Sequence, residues 1–550
     1  MIFRGRSGHR NLVLPFRVLF FVLRCGFCMS RSGFAIPFSL AVLVACLWLL
    51  GRNDRAQSPV SVGTGGGVPE AGTAGAGSAA SSELMVFCAA SNRAVMEAIR
   101  TRYEAETGRR VQIQYGPSQT LLSQLELTAA ADLFLPADDS YIALAASKGL
   151  TAETLALATM QGGIVVRKSN PSGIDEFRDL LNSEIRLVQA SPESAAIGRL
   201  TEEVLRPQGL WEPLHAATDA YRSSIGDVAS DVRVGAADAG IIFDAVLFPF
   251  PDLQFIALPE LSAVRADISV AVTSGTRQPQ AALHFARYLS AADRGLEDYQ
   301  RQGFQVGVGD RWSDNPELTL YAGSMLRPAI EDTIRQFEER EGVRVSRTYN
   351  GCGILVAQMQ AGQHPDAYFA CDEEFMRQMQ SLFPAPIAVS QNELVILVQK
   401  GNPHGIGSLR DLTTPGLRVG IGHEKQCAMG WITQKTFDES GLRTELMKNV
   451  TVQTPTGDML VNQLRAGSLD AAVAYLSNAA GAAEFLDAVQ IQGIACSVAT
   501  QPWAVSCESR QPRLAARLFD RIRSAESQEI FAAEGFRWQL SAPAVAPAGN

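Results

Sequence analysis

From Glu83 to Asp139 the chain reads ELMVFCAASNRAVMEAIR, then VQIQYGPSQTLLSQLEL, then ADLFLPADD; from Leu318 it reads LTLYAGSMLRPAIEDTIRQFEEREG, then VRVSRTYNGCGILVAQMQ, then PDAYFACDE. Ser324 follows Ser91 by 233 residues, Cys352 follows Ser118 by 234, and Asp366 follows Asp132 by 234. The same spacing returns further on, where Asn170 and Asn402, each before a proline, and the aromatics Phe243 and Tyr475 are 232 apart. A spacing this constant over separated motifs means duplication of a whole domain. Any fold for this chain must therefore close on itself within roughly 225 residues and occur twice.

The repeat sets domains at 84–312 and 318–540, joined by the short connector DNPE and followed by a flexible tail at 541–550. A connector that short makes the two domains pack or holds their orientation. Within each copy, strands alternate with amphipathic helices. Val95, Ile99 and Tyr103 recur at every fourth position until Gly108, and Ile330, Ile334 and Phe337 keep the same helical face, four and then three apart, until Gly342. The order strand, helix, strand, helix implies an α/β fold with a central mixed, mainly parallel sheet in each copy.

Residues 1–51 are unlike the rest. Six arginines from Arg4 to Arg31 face no acid, and SGFAIPFSLAVLVACLWLLG, ending at Gly51, carries no charge. That stretch meets the ~20 residues a spanning helix needs, and its basic flank directs export of the chain beyond Gly51. Met29 is an alternative start for a signal segment. LVAC at Leu43–Cys46 resembles a lipobox, so a signal-anchor and a lipoprotein signal both stay open. Each tethers the protein at the extracytoplasmic face of a membrane. Residues 52–83 are rich in Gly, Ala and Ser and read as a flexible linker.

The net charge of −9 argues against a nucleic-acid surface. No G-x-S-x-G, HExxH or P-loop pattern occurs, and the six histidines form no triad-like setting, so nothing points to catalysis. Asp138, Asp139 and Asp372 read as solvated strand ends or hinge contacts. Cys25 and Cys28 form a CxxC with no partner pair. Cys496 and Cys507 flank an apparent hairpin and are expected either to pair in an oxidising compartment or to stay as buried thiols.

A strand that ends in Ser and opens a helix offers a hydroxyl, unpaired backbone N–H groups and the positive end of the helix dipole, which together suit an anion. Taken singly, such a serine is an ordinary helix cap. Two of them per domain at matched places favour a site. The block FCAAS, YGPSQTL, ADLFLPADD resembles the molybdate-binding proteins of ABC importers, whose usual motif is AAAS, then SSS-T-L, then ADLFISAD. The resemblance extends over both repeats and is looser in the second.

That resemblance implies a two-lobed, type II periplasmic binding fold whose chain crosses the hinge twice. It also implies molybdate or tungstate as ligand, no cofactor, an ABC permease as partner, and a periplasmic or extracytoplasmic location. Carried over by position, the contacts of the first repeat are Ser91 and Ser118, with main-chain groups near Ile197 and Ile225. Phe243 stands where the family has a closing Tyr. In the second repeat they are Ser324, Cys352, main-chain groups near Met429 and Gly457, and Tyr475. Because the second repeat keeps the closing Tyr, it is expected to bind more tightly. Sulfate, phosphate or a metal ion are the alternative ligands, and a sensory module that kept the fold but lost transport is the alternative role. Cys352, Cys371 and Cys427, with His423, fall on loops near the second cleft. They are read either as soft metal ligands or as buried thiols at tight turns.

Overall fold

A computed structural model of the chain describes residues 83–540, all within one compact unit. The anchor or lipoprotein segment, most of the linker and the tail lie outside the described residues. Among the described residues no helix is long and apolar enough to cross a membrane. The two expected helices form where the periodicity puts them. Arg93–Thr107 buries Val95, Met96, Ile99 and Tyr103, and Arg327–Glu341 buries Ile330, Ile334 and Phe337. Each ends on a glycine in the left-handed region, Gly108 at φ 69° and Gly342 at φ 66°, where a side chain would be strained.

The first repeat contains ten strands: β1 Leu84–Ala89, β2 Val111–Gly116, β3 Leu133–Leu135, β4 Thr151–Arg167, β5 Leu187–Ala190, β6 Thr218–Arg222, β7 Ala239–Phe243, β8 Leu253–Ile256, β9 Arg265–Thr273 and β10 Gln305–Val306. The second repeats the set: β11 Glu317–Gly323, β12 Arg344–Asn350, β13 Ala367–Phe369, β14 Ile387–Gln399, β15 Val419–Gly422, β16 Val450–Thr454, β17 Ala471–Tyr475, β18 Leu486–Gln490, β19 Val498–Val505 and β20 Arg537–Trp538. Strand order is β2-β1-β3-β9-β4-β7-β5-β6 in one and β12-β11-β13-β19-β14-β17-β15-β16 in the other. The flanks are parallel, β1 with β2 and β3, and β5 with β6 and β7.

The long strand β4 divides the first repeat into two lobes, as β14 does the second. Its first part pairs with β9 and its last part, Gly162 to Arg167, with β7 and β8. The chain thus leaves lobe one along β4 and returns along β9. At this crossing the Gly162 amide donates to Val264 O at 2.6 Å, and a Cβ on Gly162 would lie 2.5 Å from Val264 Cγ1. Only glycine allows the two passes to approach so closely. The matching position in the second repeat is Leu394, which pairs with Tyr475 as Gly162 pairs with Phe243.

The repeats are joined through their first lobes. Glu341, 1% exposed, accepts from Arg287 Nη1 at 2.9 Å and from Arg517 Nε at 2.7 Å. Arg340 donates to Glu153 on β4, and the Asp310 carboxylate accepts the Arg513 and Leu514 amides at the start of helix Pro512–Ile522. In the connector, Asp314 meets His284 Nε2 at 2.9 Å, and burial pushes that imidazole down to about 4. The short connector therefore links a fixed joint.

Cys496 and Cys507 are free thiols, neither paired nor, as the alternative had it, both buried: Cys496 is half-buried and Cys507 is exposed. No hairpin separates them: the extended strand β19 does, and at ~3.4 Å per residue it holds them far beyond disulfide reach. Cys496 Sγ lies near Thr436 Oγ1, and Cys507 Sγ faces Ser381 O.

Candidate ligand clefts

In the first repeat Ser91, Ser118 and Ile225 follow closely on the ends of β1, β2 and β6, Phe243 ends β7, and Ile197 lies in the first turn of the helix after β5; carboxyl ends of strands are where ligands of open α/β sheets collect. β1 runs into the short 3-10 turn Ala90–Asn92, which leaves Ser91 exposed ahead of its helix. β2 ends at Gly116, Pro117 holds the extended conformation, and Ser118 opens helix Ser118–Leu127. Ser118 is 7% exposed, and its Oγ accepts the Ala137 amide at 2.9 Å, which leaves its proton free to donate elsewhere.

From lobe two, helix Ala196–Leu205 starts after Ala195, which has no side chain able to cap it, and Ile197 lies buried in its first turn. Its first amides therefore have no partner within the helix. Ile225 opens helix Ile225–Val234, where Ser224 Oγ takes only the Asp227 amide, at 3.2 Å. Phe243 closes β7 and is buried, so no hydroxyl reaches the cleft from that position. Arg199 of lobe two reaches Asp138 Oδ1 at 3.4 Å and Ser140 Oγ at 3.2 Å in lobe one. Asp138 is thus buried and bridged across the gap rather than solvated. Asp139 is half-buried and accepts from Ser269 Oγ.

The second repeat places Ser324, Cys352, Met429, Gly457 and Tyr475 at the matching strand ends, but its amides are differently occupied. Gly353 N, of lobe one, donates to Gln426 O, of lobe two, at 3.0 Å. A Cβ on Gly353 would lie 2.0 Å from Lys425 O, and one on Gly351 2.4 Å from both Gln426 O and Pro455 O. The two lobes are in backbone contact here. Among the described residues no such backbone hydrogen bond joins the Ser118 loop to lobe two.

Cys427, which stands at the place of Ala195, caps its own helix by taking the Gly430 amide at 3.4 Å. Cys352 Sγ takes the Cys371 amide at 3.1 Å, the counterpart of the bond between Ser118 and Ala137. A Cβ on Gly457 would lie 2.3 Å from Asn478 Oδ1, so this helix start is covered. The Tyr475 hydroxyl is buried with no hydrogen-bond partner.

The sequence placed three cysteines near this cleft, and all three are buried there. Contact with Cys352, then burial, pushes the Cys371 thiol well up, and burial pushes Cys427 up to about 11. His423 takes the Lys425 amide on its Nδ1. Among the described residues no group of three or more His, Cys, Asp or Glu is arranged to hold a metal ion.

Beside this cleft a cavity of about 630 Å³, lined among others by Asp372, Phe383, Trp431, Lys435 and Cys496, lies between lobes and hinge. Asp372 caps helix Glu373–Arg377, and burial, then Glu373, pushes its carboxyl up to about 6. It is no solvated strand end. Gln426, Arg199 and Trp431 are the cleft residues that sequence reasoning missed. The signal available was that Trp431 stands in the second repeat where Arg199 stands in the first.

The model of the bacterial extracellular solute-binding protein family matches residues 84–305 and again 318–537. The molybdate-binding protein ModA of Mycobacterium bovis is 30% identical over 267 residues, covering 48% of this chain and 95% of that protein. That of Escherichia coli is 27% identical over 234 residues, covering 41% and 89%. The solved structure of the Azotobacter vinelandii periplasmic molybdate-binding protein aligns at 20% identity with a TM-score of 0.35, over 41% of this chain and all of that one. Two complete matches to a family of binding proteins, on two matching two-lobed folds, mean that this chain belongs to the bacterial extracellular solute-binding proteins and carries their domain twice, as a binder of solute and not an enzyme.

Proposed function

We propose that the chain is the substrate-binding component of an ABC importer and takes a small tetrahedral oxyanion, molybdate or tungstate, in the cleft of its first repeat. The observation that carries this is the donor set there. Ser91 and Ser118 follow the ends of two lobe-one strands, and lobe two offers two helix starts, one at Ala196 with no side-chain cap and one at Ile225 where Ser224 takes only the Asp227 amide. Neutral donors of this kind hold a dianion without a formal countercharge, as long as lobe closure removes water from it. The molybdate-binding relatives support the choice of ligand. Residues 1–51 would tether the protein outside the cytoplasmic membrane, and the closed form would dock on the permease.

Calorimetric titration of the full chain with molybdate, tungstate and sulfate tests this. One equivalent of molybdate or tungstate should bind, and Ser118→Ala should weaken it by about 1–3 kcal/mol, the loss expected when a buried oxygen loses a donor. Binding of sulfate alone, or of none of the three, removes this reading.

A further inference from the structure

We propose that the second cleft is a site for a thiophilic, uncharged oxyacid of a trivalent element, with arsenous acid as its probe, taken by Cys352 and Cys371 of lobe one and closed over by Cys427 of lobe two. This goes beyond the oxyanion reading and does not depend on what the first cleft binds.

Three replacements made together carry it. Cys352, Cys371 and Cys427 stand where the first repeat has Ser118, Ala137 and Ala195, so every thiol of the cluster is particular to the second cleft. Two of the sulfurs converge on one point: a Cβ on Gly323 would lie 2.1 Å from Cys371 Sγ and 3.3 Å from Cys352 Sγ. The third comes from the opposite lobe, with Cys427 Cβ 3.2 Å from where a Cβ on Gly351, the neighbour of Cys352, would be. The Tyr475 hydroxyl, buried without a partner, lies within electrostatic reach of all three thiols and can donate to an oxygen left on the bound element.

The protonation of the thiols selects the ligand. Contact with Cys352, then burial, keeps Cys371 a neutral thiol, and burial does the same for Cys427, so a divalent cation would have to expel their protons and bring charge into a closed, apolar place. Arsenous acid brings no charge. Cys352 and Cys371 each form a sulfur–arsenic bond, two arsenic–oxygen bonds break, each thiol proton leaves with a hydroxide as water, and the third hydroxyl stays on the arsenic, within reach of Tyr475. No electrons are transferred. Opening the lobes parts Gly353 from Gln426 and exposes the lobe-one pair, and closure then covers that pair with the lobe-two loop that carries Cys427.

The test incubates the reduced full chain with sodium arsenite, desalts it, and measures arsenic per chain by native mass spectrometry alongside the thermal midpoint. We expect one arsenic per chain and a raised midpoint. Cys352→Ser with Cys371→Ala, the pair the first repeat carries, should lower retained arsenic at least tenfold. Cys427→Ala and Ser118→Ala should each still retain one arsenic per chain. No retained arsenic overturns the proposal. So does arsenic that is lost in Cys25→Ser with Cys28→Ser, or in Cys496→Ser with Cys507→Ser. Isolation of Cys352 and Cys371 as a disulfide that resists mild reduction also overturns it.

Discussion

In the first cleft the amides at the start of helix Ala196–Leu205 are uncapped; in the second the equivalent helix is capped by the Cys427 sulfur. Gln119 of the first repeat is an exposed side chain, whereas its counterpart Gly353 lies against Lys425 O and bonds Gln426 O. A glycine at the crossing of the first repeat is a leucine in the second. Both clefts are built on the same ten-strand frame, so the frame does not decide what either one binds. That depends on whether the loops at the strand ends keep their donors for a ligand or turn them on each other.

The comparison assumes that both clefts belong to one body, and the joint between repeats is where it breaks most readily. Glu341→Ala should destabilise the chain by about 3–5 kcal/mol, because it leaves Arg287 and Arg517 buried without their carboxylate. Calorimetry should then show two unfolding transitions in place of one; a single transition at an unchanged temperature would mean the joint contributes nothing.

A smaller effect tests the closed second cleft. Gly353→Ala places a methyl against Lys425 O and should cost about 1–3 kcal/mol by forcing the lobes apart. Gln119→Ala at the matching exposed position should stay within ~0.5 kcal/mol. Small-angle scattering should show expansion for the first variant alone, and equal behaviour of the two would erase the contrast.

The smallest effect concerns the closing aromatic. Phe243→Tyr should tighten molybdate binding by about 0.5–1.5 kcal/mol if the new hydroxyl reaches the ligand. Tyr475→Phe should leave molybdate affinity unchanged, since it removes a hydroxyl of the other cleft. Weaker molybdate binding in Tyr475→Phe would return the oxyanion to the second repeat.

The last outcome is the one sequence reasoning expected, and the features that favour the first cleft instead are local. The retained Tyr475 counted as a gain for the second cleft, and it does sit at the matching strand end. What sequence could not display is that Gly353 and Gln426, 73 residues apart, bond across the lobes, or that Cys427 turns on its own helix. Those contacts depend on how far two loops from different lobes approach, which no spacing encodes. The fold was far more legible, because Ile99 and Tyr103, or Ile334 and Phe337, mark a buried helix face by period alone. The hairpin expected between Cys496 and Cys507 failed on a different point: a run of β-forming residues between two cysteines suits a hairpin and a single strand equally well.

Glu341, set between Arg287 and Arg517, binds lobe one of each repeat to lobe one of the other. Closure that moves only a second lobe against that common base would leave the base itself unaltered. Cooperativity requires each ligand to act differently on two states of a shared element, and here the shared element has one state. Occupation of one cleft should therefore leave the affinity of the other unchanged, with a coupling free energy near zero.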